Sequence, residues 1–202
     1  MAGFARLPVV SGEVMRIISG EARGRTLFAP SGDQTRPTSD KIRGSLFNIL
    51  NGRVEDAQVL DLFGGTGALS LEALSRGAAH AVIADTSRQA IEAIRRNAAN
   101  VLKDELEARA LILKTDYRSA ISTACAGRSF DLVFLDPPYR MLDAYPDAIS
   151  RLDRAGVLAE DALIVAERRH DAVIEIPQGF EIYDTRSYGE TSIDFVRRRI
   201  EE

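Results

Sequence analysis

An acid, two prolines and an aromatic ring follow directly after an apolar run in FDLVFLDPPYR, residues 130–140. The Asp136 carboxylate and the Pro137 carbonyl could accept the two hydrogens of a planar exocyclic amine and turn its lone pair out of the ring plane. Both prolines hold their carbonyls rigidly, because each ring fixes φ and leaves no N–H. Tyr139 offers a face for an unstacked base. The pattern predicts alkylation of a nucleobase amine, with Asp136, Pro137, Pro138 and Tyr139 as catalytic residues.

A glycine-rich turn follows an earlier apolar run. The sequence DLFGGTG, residues 61–67, has glycine at 64, 65 and 67. These glycines permit a tight turn and let backbone N–H groups approach a ligand closely. The turn follows a predicted strand and opens a predicted helix, which is the setting of a nucleotide-type ligand site.

Four successive predicted strands each end in an aspartate. In an open parallel sheet, ligands bind outside the carboxyl ends of the strands. An acid about where Asp85 stands, 18 residues after Gly67, commonly binds a pair of ribose hydroxyls. Such a set of acids favours a ligand with a ribose, an amine and little phosphate. The four acids are Asp61, Asp85, Asp116 and Asp136.

The identity of the cofactor follows from the same loop. A dinucleotide requires the pattern G-x-G-x-x-G or A, whereas this chain has Ser70 at the last position. S-adenosylmethionine carries no phosphate and has a cationic amino-acid end, so a glycine loop beside acids suits it better. The predicted cofactor-binding residues are Asp61, Phe63, Gly64, Gly65, Gly67, Asp85, Thr86, Asp116 and Tyr117.

Alternating strands and helices position these residues. From residue 57 onward, near-continuous apolar strands alternate with amphipathic helices, which predicts an α/β fold with a parallel sheet covered on both faces. Two β-rich runs at 179–190 and 191–200 predict a closing antiparallel hairpin. Residues 14–30 predict a β-hairpin, and residues 37–50 predict a helix capped at Thr38 or Ser39.

Bulk composition indicates one globular unit. The chain has 202 residues, a net charge of −4 and one cysteine, Cys125, so a reducing cytoplasm is the expected location. No apolar run is long enough to cross a membrane, and nothing in the sequence requires a dimer. His80 and His170 are isolated and predict no metal site. Residues 1–14 are assigned no function.

Positive charge is concentrated near the start of the chain. Residues 16–53 contain seven Arg or Lys and three acids, a local charge of +4 on an acidic protein. Such a patch is typical of a phosphate-binding surface. The candidates for RNA phosphates are Arg23, Arg25, Arg36 and Arg43.

Four motifs, in order and spacing, resemble the bacterial 16S rRNA guanine-N2 methyltransferases of the RsmD type. They are MRIISGEARGRTL, RPTSDKIRGSLFNIL, VLDLFGGTGALSLEALSRGA and FDLVFLDPPY. The resemblance implies a Rossmann-like seven-stranded class I methyltransferase sheet (54–202) with an N-terminal RNA-engaging extension of hairpin and helix (15–53). It also implies S-adenosylmethionine as cofactor and 16S rRNA in the 30S subunit, or its assembly intermediate, as partner. One departure is Gly44, where the family usually has Glu.

Two alternatives remain open from the sequence. The Asp136–Tyr139 motif fits methylation of adenine N6 or cytosine N4 in DNA equally well, although the chain has no insertion large enough to read a duplex. A nucleotide-linked dehydrogenase or a non-catalytic binding module belongs to a different class. Ser70 disfavours the dehydrogenase, and the intact motif at 136–139 disfavours loss of activity.

Overall fold

The computed structural model describes residues 15–29, 40–125 and 127–200. A seven-stranded sheet has the order β3-β2-β1-β4-β5-β7-β6, in which β1 to β5 are parallel and β7 is antiparallel to both neighbours. The strands are β1 Gln58–Asp61, β2 His80–Asp85, β3 Ala110–Lys114, β4 Phe130–Leu135, β5 Leu158–Arg169, β6 Phe180–Tyr188 and β7 Thr191–Arg198. The predicted fold class and the closing hairpin are therefore confirmed.

Helices cover both faces of the sheet, as the crossover pattern predicts. They are α1 Asp40–Ile49, α2 Ala68–Ser75, α3 Arg88–Leu102, α4 Leu106–Arg109, α5 Tyr117–Ser119 and α6 Ala144–Arg154. Side chains alternate along each strand, so Phe134 joins a core cluster with α1, α2 and α3, whereas Leu135 joins one with α5 and α6. No helix among the described residues has the length and apolar content that crossing a bilayer requires.

Several boundaries differ from the sequence-based expectation. The run ARALILKTD predicts a strand at 108–116, but a 3₁₀ turn at Lys103–Glu105 and the short helix α4 precede β3. The run YRSAISTACAG predicts one helix at 117–127, and the structure has α5 followed by a π-helical turn at Ala120–Ala124. The run DALIVAER predicts a strand at 161–168, whereas β5 begins at Leu158. The differences lie at element ends, where local sequence pattern gives the weakest signal.

The N-terminal hairpin is shorter than predicted. Arg16 and Thr26 form one antiparallel bridge. The Ile17 N–H donates to the Arg25 carbonyl at 2.9 Å, and the Leu27 N–H to that of Met15 at 2.8 Å. Met15, Ile17 and Leu27 are buried in the core cluster that α1, α2 and α3 form with the sheet, so this segment is packed on the sheet. The segment 1–14 and the cap predicted at Thr38 or Ser39 lie outside the described residues.

Gly44 lies inside α1, and nothing in its surroundings requires glycine. A Cβ at this position would meet only the Ile18 Cγ2 atom, at an ordinary contact distance of 3.7 Å. We expect Gly44→Ala to raise the free energy of unfolding by up to about 1 kcal/mol, because alanine loses less backbone entropy in a helix. Urea denaturation measures the change.

Gly64→Ala is the matched control for this prediction. A Cβ at Gly64 would lie 2.6 Å from the Ile83 Cγ2 atom, so this variant is expected to lose stability. A Gly44→Ala protein that is less stable than the parent would contradict the interpretation of Gly44 as a replaceable helix residue.

Candidate active site

Three acids lie on one face of the sheet at the carboxyl ends of adjacent strands. Asp61 ends β1, Asp136 follows β4, and Glu167 stands near the end of β5. Register pairs Leu135 with Ala166, so Asp136 and Glu167 come next on the two neighbouring strands. The alternation of side chains directs all three acids to the face that α1, α2 and α3 cover. The strand ends predicted to meet do so, with Glu167 as an additional acid.

The environment of Asp136 disfavours its charged form. Burial raises the pKa of Asp136 well above its usual value, and the neighbouring charges of Glu167 and Asp61 raise it further. Pro137 is buried behind it, while the Pro138 carbonyl accepts a hydrogen bond from the Met141 N–H at 2.8 Å and fixes the turn. The motif is therefore held rigidly beside the other two acids.

Tyr139 presents an aromatic surface at the rim of this site. Its side chain is 51% exposed, and the Arg169 guanidinium lies 6.0 Å from the ring centroid. A half-exposed ring beside a cation is a suitable surface for stacking a base next to a phosphate. Base stacking on Tyr139 stays a prediction.

Asp61 is fully buried at the base of the glycine loop. Its carboxylate accepts hydrogen bonds from the Ser70 hydroxyl at 2.9 Å and from the Phe63 N–H at 3.3 Å. Burial raises the pKa of Asp61 to about 7, an effect that these two hydrogen bonds oppose and the charge of Asp85 reinforces. Ser70 therefore orients Asp61. Its local sequence does not indicate this role and shows only that the loop departs from the dinucleotide pattern.

The glycine loop packs closely against the sheet and leaves its tip open. Gly64 lies against Ile83, with no room for a Cβ, and Gly67 has φ +77° at the start of α2. Gly65 is exposed, and its N–H donates to Asp85 at 2.9 Å. The backbone of the loop can thus approach a ligand at the sheet edge.

Asp85 connects the loop to the next strand end. One of its oxygens accepts from the Gly65 N–H and the other from the Ser87 N–H at 2.8 Å. A carboxylate has about four acceptor sites, so both oxygens can also accept from ribose hydroxyls. Thr86 is exposed between Asp85 and α3.

Asp116 and Tyr117 have structural contacts of their own. Asp116 caps α5 by accepting from the Ser119 hydroxyl at 2.7 Å and from two backbone N–H groups, and these hydrogen bonds lower its pKa. Tyr117 is buried, its ring centroid is 5.4 Å from that of Phe63, and its hydroxyl donates to Asp147 at 2.8 Å. Their assignment to cofactor binding stays a prediction.

The three predicted RNA-binding arginines that the structure describes are not brought together at this edge. Arg43 is fully buried; its guanidinium donates to the Arg16 carbonyl and to Asp40, and its Nε lies 3.8 Å from Glu72. The assignment of Arg43 to RNA phosphates is therefore corrected, because a fully buried guanidinium that already donates to the Arg16 carbonyl and to Asp40 cannot reach an RNA backbone at the surface. Arg36 lies outside the described residues.

Two further arginines lie toward the opposite edge. The Arg25 guanidinium donates to the carbonyls of Asn100 and Val101 at the end of α3. Arg23 is exposed in a turn whose Gly20 approaches the Ser75 carbonyl, at the end of α2 away from the glycine loop. A helix of eight residues is about 12 Å long, so the structure does not place Arg23 beside Asp136.

The residues at the carboxyl edge fit S-adenosylmethionine. The acids match a cationic amino group and ribose hydroxyls, and the open glycine loop can approach without a cation for phosphate. A seven-stranded sheet of this order, with a glycine loop and acids at one edge, is the architecture of class I S-adenosylmethionine-dependent methyltransferases. Within the described ranges, no cluster of His, Cys, Asp or Glu could hold a metal ion.

Comparison with known proteins identifies the family. Residues 15–197 match the family described as "Conserved hypothetical protein 95", and the chain belongs to that family. "Putative rRNA methyltransferase YlbH" of Bacillus subtilis is 36% identical over 92% of this chain and 100% of its own length. "Ribosomal RNA small subunit methyltransferase D" of Escherichia coli is 34% identical over 93% of this chain and 91% of its own. The resemblance to the RsmD type is thereby confirmed.

The same relationship is found among solved structures. "Putative methyltransferase yhhF" from Escherichia coli superposes with a TM-score of 0.79 at 30% identity, covering 94% of this chain and 100% of that one. These relatives place the chain among methyltransferases and outside the dehydrogenase class.

Proposed function

We propose that this protein transfers a methyl group from S-adenosylmethionine to the exocyclic N2 of a guanine in 16S rRNA within the 30S subunit or its assembly intermediate. The supporting observation is the position of Asp136, Pro137 and Tyr139 beside the glycine loop, in a chain whose relatives are named as ribosomal RNA methyltransferases. We also propose that the protein acts on this substrate as a monomer in the cytoplasm.

The protein's contribution to the reaction is orientation of the amine. The Asp136 carboxylate and the Pro137 carbonyl each accept a hydrogen bond from one of the two N2–H groups. These hydrogen bonds direct the nitrogen lone pair away from the plane of the ring. Tyr139 stacks on the base and holds it out of its RNA helix. Bound S-adenosylmethionine supplies an electrophilic methyl group on a sulfonium. Because the groups are fixed before the substrate arrives, most of the rate enhancement comes from positioning and electrostatics.

Different residues would hold the different chemical groups of the cofactor. We assign Asp61 to the cationic amino group, and Asp85, whose two oxygens keep free acceptor positions, to the ribose hydroxyls. Gly65 lets the backbone approach, and Phe63 contributes a half-exposed ring next to Tyr117.

A methylation assay tests the proposed function. The protein is incubated with labelled S-adenosylmethionine and 30S subunits that lack the modification, and the RNA is then digested to nucleosides for mass analysis. N2-methylguanosine is the expected product. N6-methyladenosine, or activity on DNA only, would support the alternative amino-methyltransferase, whereas cofactor binding without incorporation into 16S rRNA would contradict the proposal.

Cofactor binding is expected to weaken as pH falls. The pKa of Asp61 is raised to about 7, so its carboxylate becomes largely protonated below that value and no longer attracts an ammonium group. We expect the affinity for S-adenosylhomocysteine, which carries the same amino-acid end, to decrease as the pH is lowered from about 8 to about 6. The decrease approaches about tenfold per pH unit at pH values well below the pKa of Asp61. Titration calorimetry measures it.

Asp61→Asn is the control for this pH dependence. The variant binds more weakly at high pH, because the charge is gone, and its affinity changes little over the same range. A parent protein whose affinity is constant between these pH values would contradict the role of Asp61 as the acid for the amino group.

A further inference from the structure

Asn97 lies between the glycine loop and the N-terminal segment, residues 15–29, and the proposed reaction does not use it. It belongs to α3 and is only 1% exposed. Its Nδ2 donates to the Thr66 carbonyl at 2.9 Å and to the Phe28 carbonyl at 2.9 Å, while its Oδ1 accepts from the Phe28 N–H at 2.7 Å. Both N–H groups and the oxygen of this buried amide are therefore occupied.

The partners of this amide determine its orientation. Two carbonyls require its NH₂ end and one N–H requires its oxygen, so a flipped amide would lose all three hydrogen bonds. Asn97 thus holds the main chain at Phe28 and the main chain at Thr66, two parts of the chain that are distant in sequence, in one fixed relation.

The peptide unit between Thr66 and Gly67 is held at both ends. Its carbonyl accepts from Asn97, and its N–H donates to the Gly64 carbonyl at 2.6 Å. Gly65 and Gly67, on either side of Thr66, have φ values of +55° and +77°, and glycine adopts positive and negative φ about equally well. Without the hydrogen bond from Asn97, this peptide unit can rotate at small cost. The conformation of the glycine loop therefore depends on a side chain outside the loop.

A second contact joins the glycine loop to the N-terminal segment. The Thr66 hydroxyl donates to the Met15 thioether at 3.7 Å, and the Met15 carbonyl accepts from the Leu27 N–H, next to Phe28. Met15 and Leu27 are both buried. Moving the N-terminal segment would break this contact and two of the three hydrogen bonds of Asn97.

We propose that Asn97 is a positioning residue for S-adenosylmethionine, which holds the glycine loop in its binding conformation and makes that conformation depend on the docked N-terminal segment. Asn97 acts through the Thr66 carbonyl and not on the cofactor itself. A ligand binds more weakly in proportion to the fraction of protein that is in the competent conformation. By reciprocity, the bound cofactor strengthens docking of the N-terminal segment.

Removing the amide tests the effect on the cofactor. We expect Asn97→Ala to weaken binding of S-adenosylhomocysteine at least about tenfold, because the loop is then in the competent conformation for about a tenth of the time or less. Titration calorimetry measures the affinity at a temperature at which the variant is folded. Equal affinities of Asn97→Ala and the parent protein would overturn the proposal.

Asn100→Ala is the matched control. Asn100 lies one turn further along α3, and its side chain donates to the Thr26 carbonyl of the N-terminal segment at 3.0 Å. Its hydrogen bond goes to that segment and not to the glycine loop. We expect this variant to bind S-adenosylhomocysteine within about twofold of the parent, the effect of an ordinary surface substitution. An equal loss of affinity in both variants would overturn the special role of Asn97.

Hydrogen exchange in the parent protein tests the reciprocal effect. The Phe28 amide donates to Asn97, whereas the Gly24 amide, in the turn of the same hairpin, donates to the Ile17 carbonyl at 2.9 Å. We expect saturating S-adenosylhomocysteine to slow exchange at Phe28 at least about threefold more than at Gly24, since local ordering adds to the general stabilisation that any ligand gives. A purely structural Asn97 would leave the ratio of the two exchange rates unchanged.

These outcomes also separate the inference from the proposed function. An unchanged exchange ratio overturns the coupling, and it is measured in the parent, so it decides the question even if Asn97→Ala does not fold. A parent that binds no S-adenosylhomocysteine overturns the inference together with the cofactor assignment. Weaker binding by Asn97→Ala with a changed exchange ratio supports the inference, whichever base proves to be methylated.

Discussion

Asp136→Ala is expected to lower kcat for methylation of 30S subunits by about 10³-fold or more, while affinity for S-adenosylhomocysteine changes by no more than a few-fold. The Asp136 carboxylate orients the reacting amine, and removing one preorganised group of this kind costs about 10² to 10³ in kcat in other enzymes. The loss is expected at the upper end, because Pro137 alone cannot turn the amine. Asp61 and Asp85, which we assign to the cofactor, remain in place.

Single-turnover kinetics measure the rate of methyl transfer, and calorimetry measures the affinity for S-adenosylhomocysteine. Asp143→Ala is the matched control, since Asp143 is an exposed acid in the same connection between β4 and α6 and makes no capping hydrogen bond. Near-normal turnover by Asp136→Ala would remove Asp136 from the mechanism. A parallel collapse of cofactor affinity would instead assign Asp136 to cofactor binding.

The edge of the sheet that carries the site could be predicted because parallel strands impose a simple geometry. Apolar runs buried on both faces identify the strands, and crossover helices bring their carboxyl ends to one side. The aspartates that end β1 and β2 and the one that follows β4 could therefore be placed at one edge from the sequence alone. Asp116 follows β3 at the same edge, and its side chain also caps α5, which is the ordinary role of an acid before a helix, so its assignment to the cofactor stays a prediction.

Long-range partners explain why the RNA-binding prediction for Arg43 was wrong. A count of charged residues cannot distinguish an exposed arginine from a buried one. Arg43 is buried beside Glu72, which is far away in sequence and also fully buried. Likewise, the turn that carries Arg23 packs on Ser75, a contact between residues more than fifty apart. Local pattern carries no information on such contacts, so the basic stretch was interpreted as one surface.

Glu167 could have been found from the sequence with the rule already applied. The fifth parallel strand, like the four before it, has an acid near its carboxyl end, within DALIVAER at residues 161–168. Its significance depends on register, since only the pairing of Leu135 with Ala166 places it beside Asp136. Ser70 is different, because a serine inside a helix gives no sign that it holds a buried acid.

A buried carboxylate on α2 joins the N-terminal segment to the sheet. Both oxygens of Glu72 accept backbone hydrogen bonds, from the Ile18 N–H at 2.7 Å and the Ser19 N–H at 3.1 Å. Arg76 donates to the same carboxylate at 2.6 Å, and the Arg43 Nε lies 3.8 Å away. Glu72 has no exposed surface, so these partners compensate its charge inside the protein.

Glu72→Ala is therefore expected to lower the free energy of unfolding by about 3–5 kcal/mol, the range found when one partner of a buried ion pair is removed. The variant leaves two backbone N–H groups without their acceptor, and it removes the buried carboxylate that lies 3.8 Å from the Arg43 guanidinium. Urea denaturation followed by circular dichroism measures the loss. Hydrogen exchange should show that the amides of Ile18 and Ser19 lose protection first.

Glu92→Ala provides the comparison that separates burial from charge. Glu92 pairs with Arg88 at 2.9 Å on the surface of α3, where both side chains are more than half exposed, so its loss is expected to cost less than about 1 kcal/mol. If the two variants proved equally stable, Glu72 would have no special part in docking the N-terminal segment. If Glu72→Ala lost stability but kept protection at Ile18 and Ser19, the segment would be held by the apolar contacts of Ile17 and Leu27 instead.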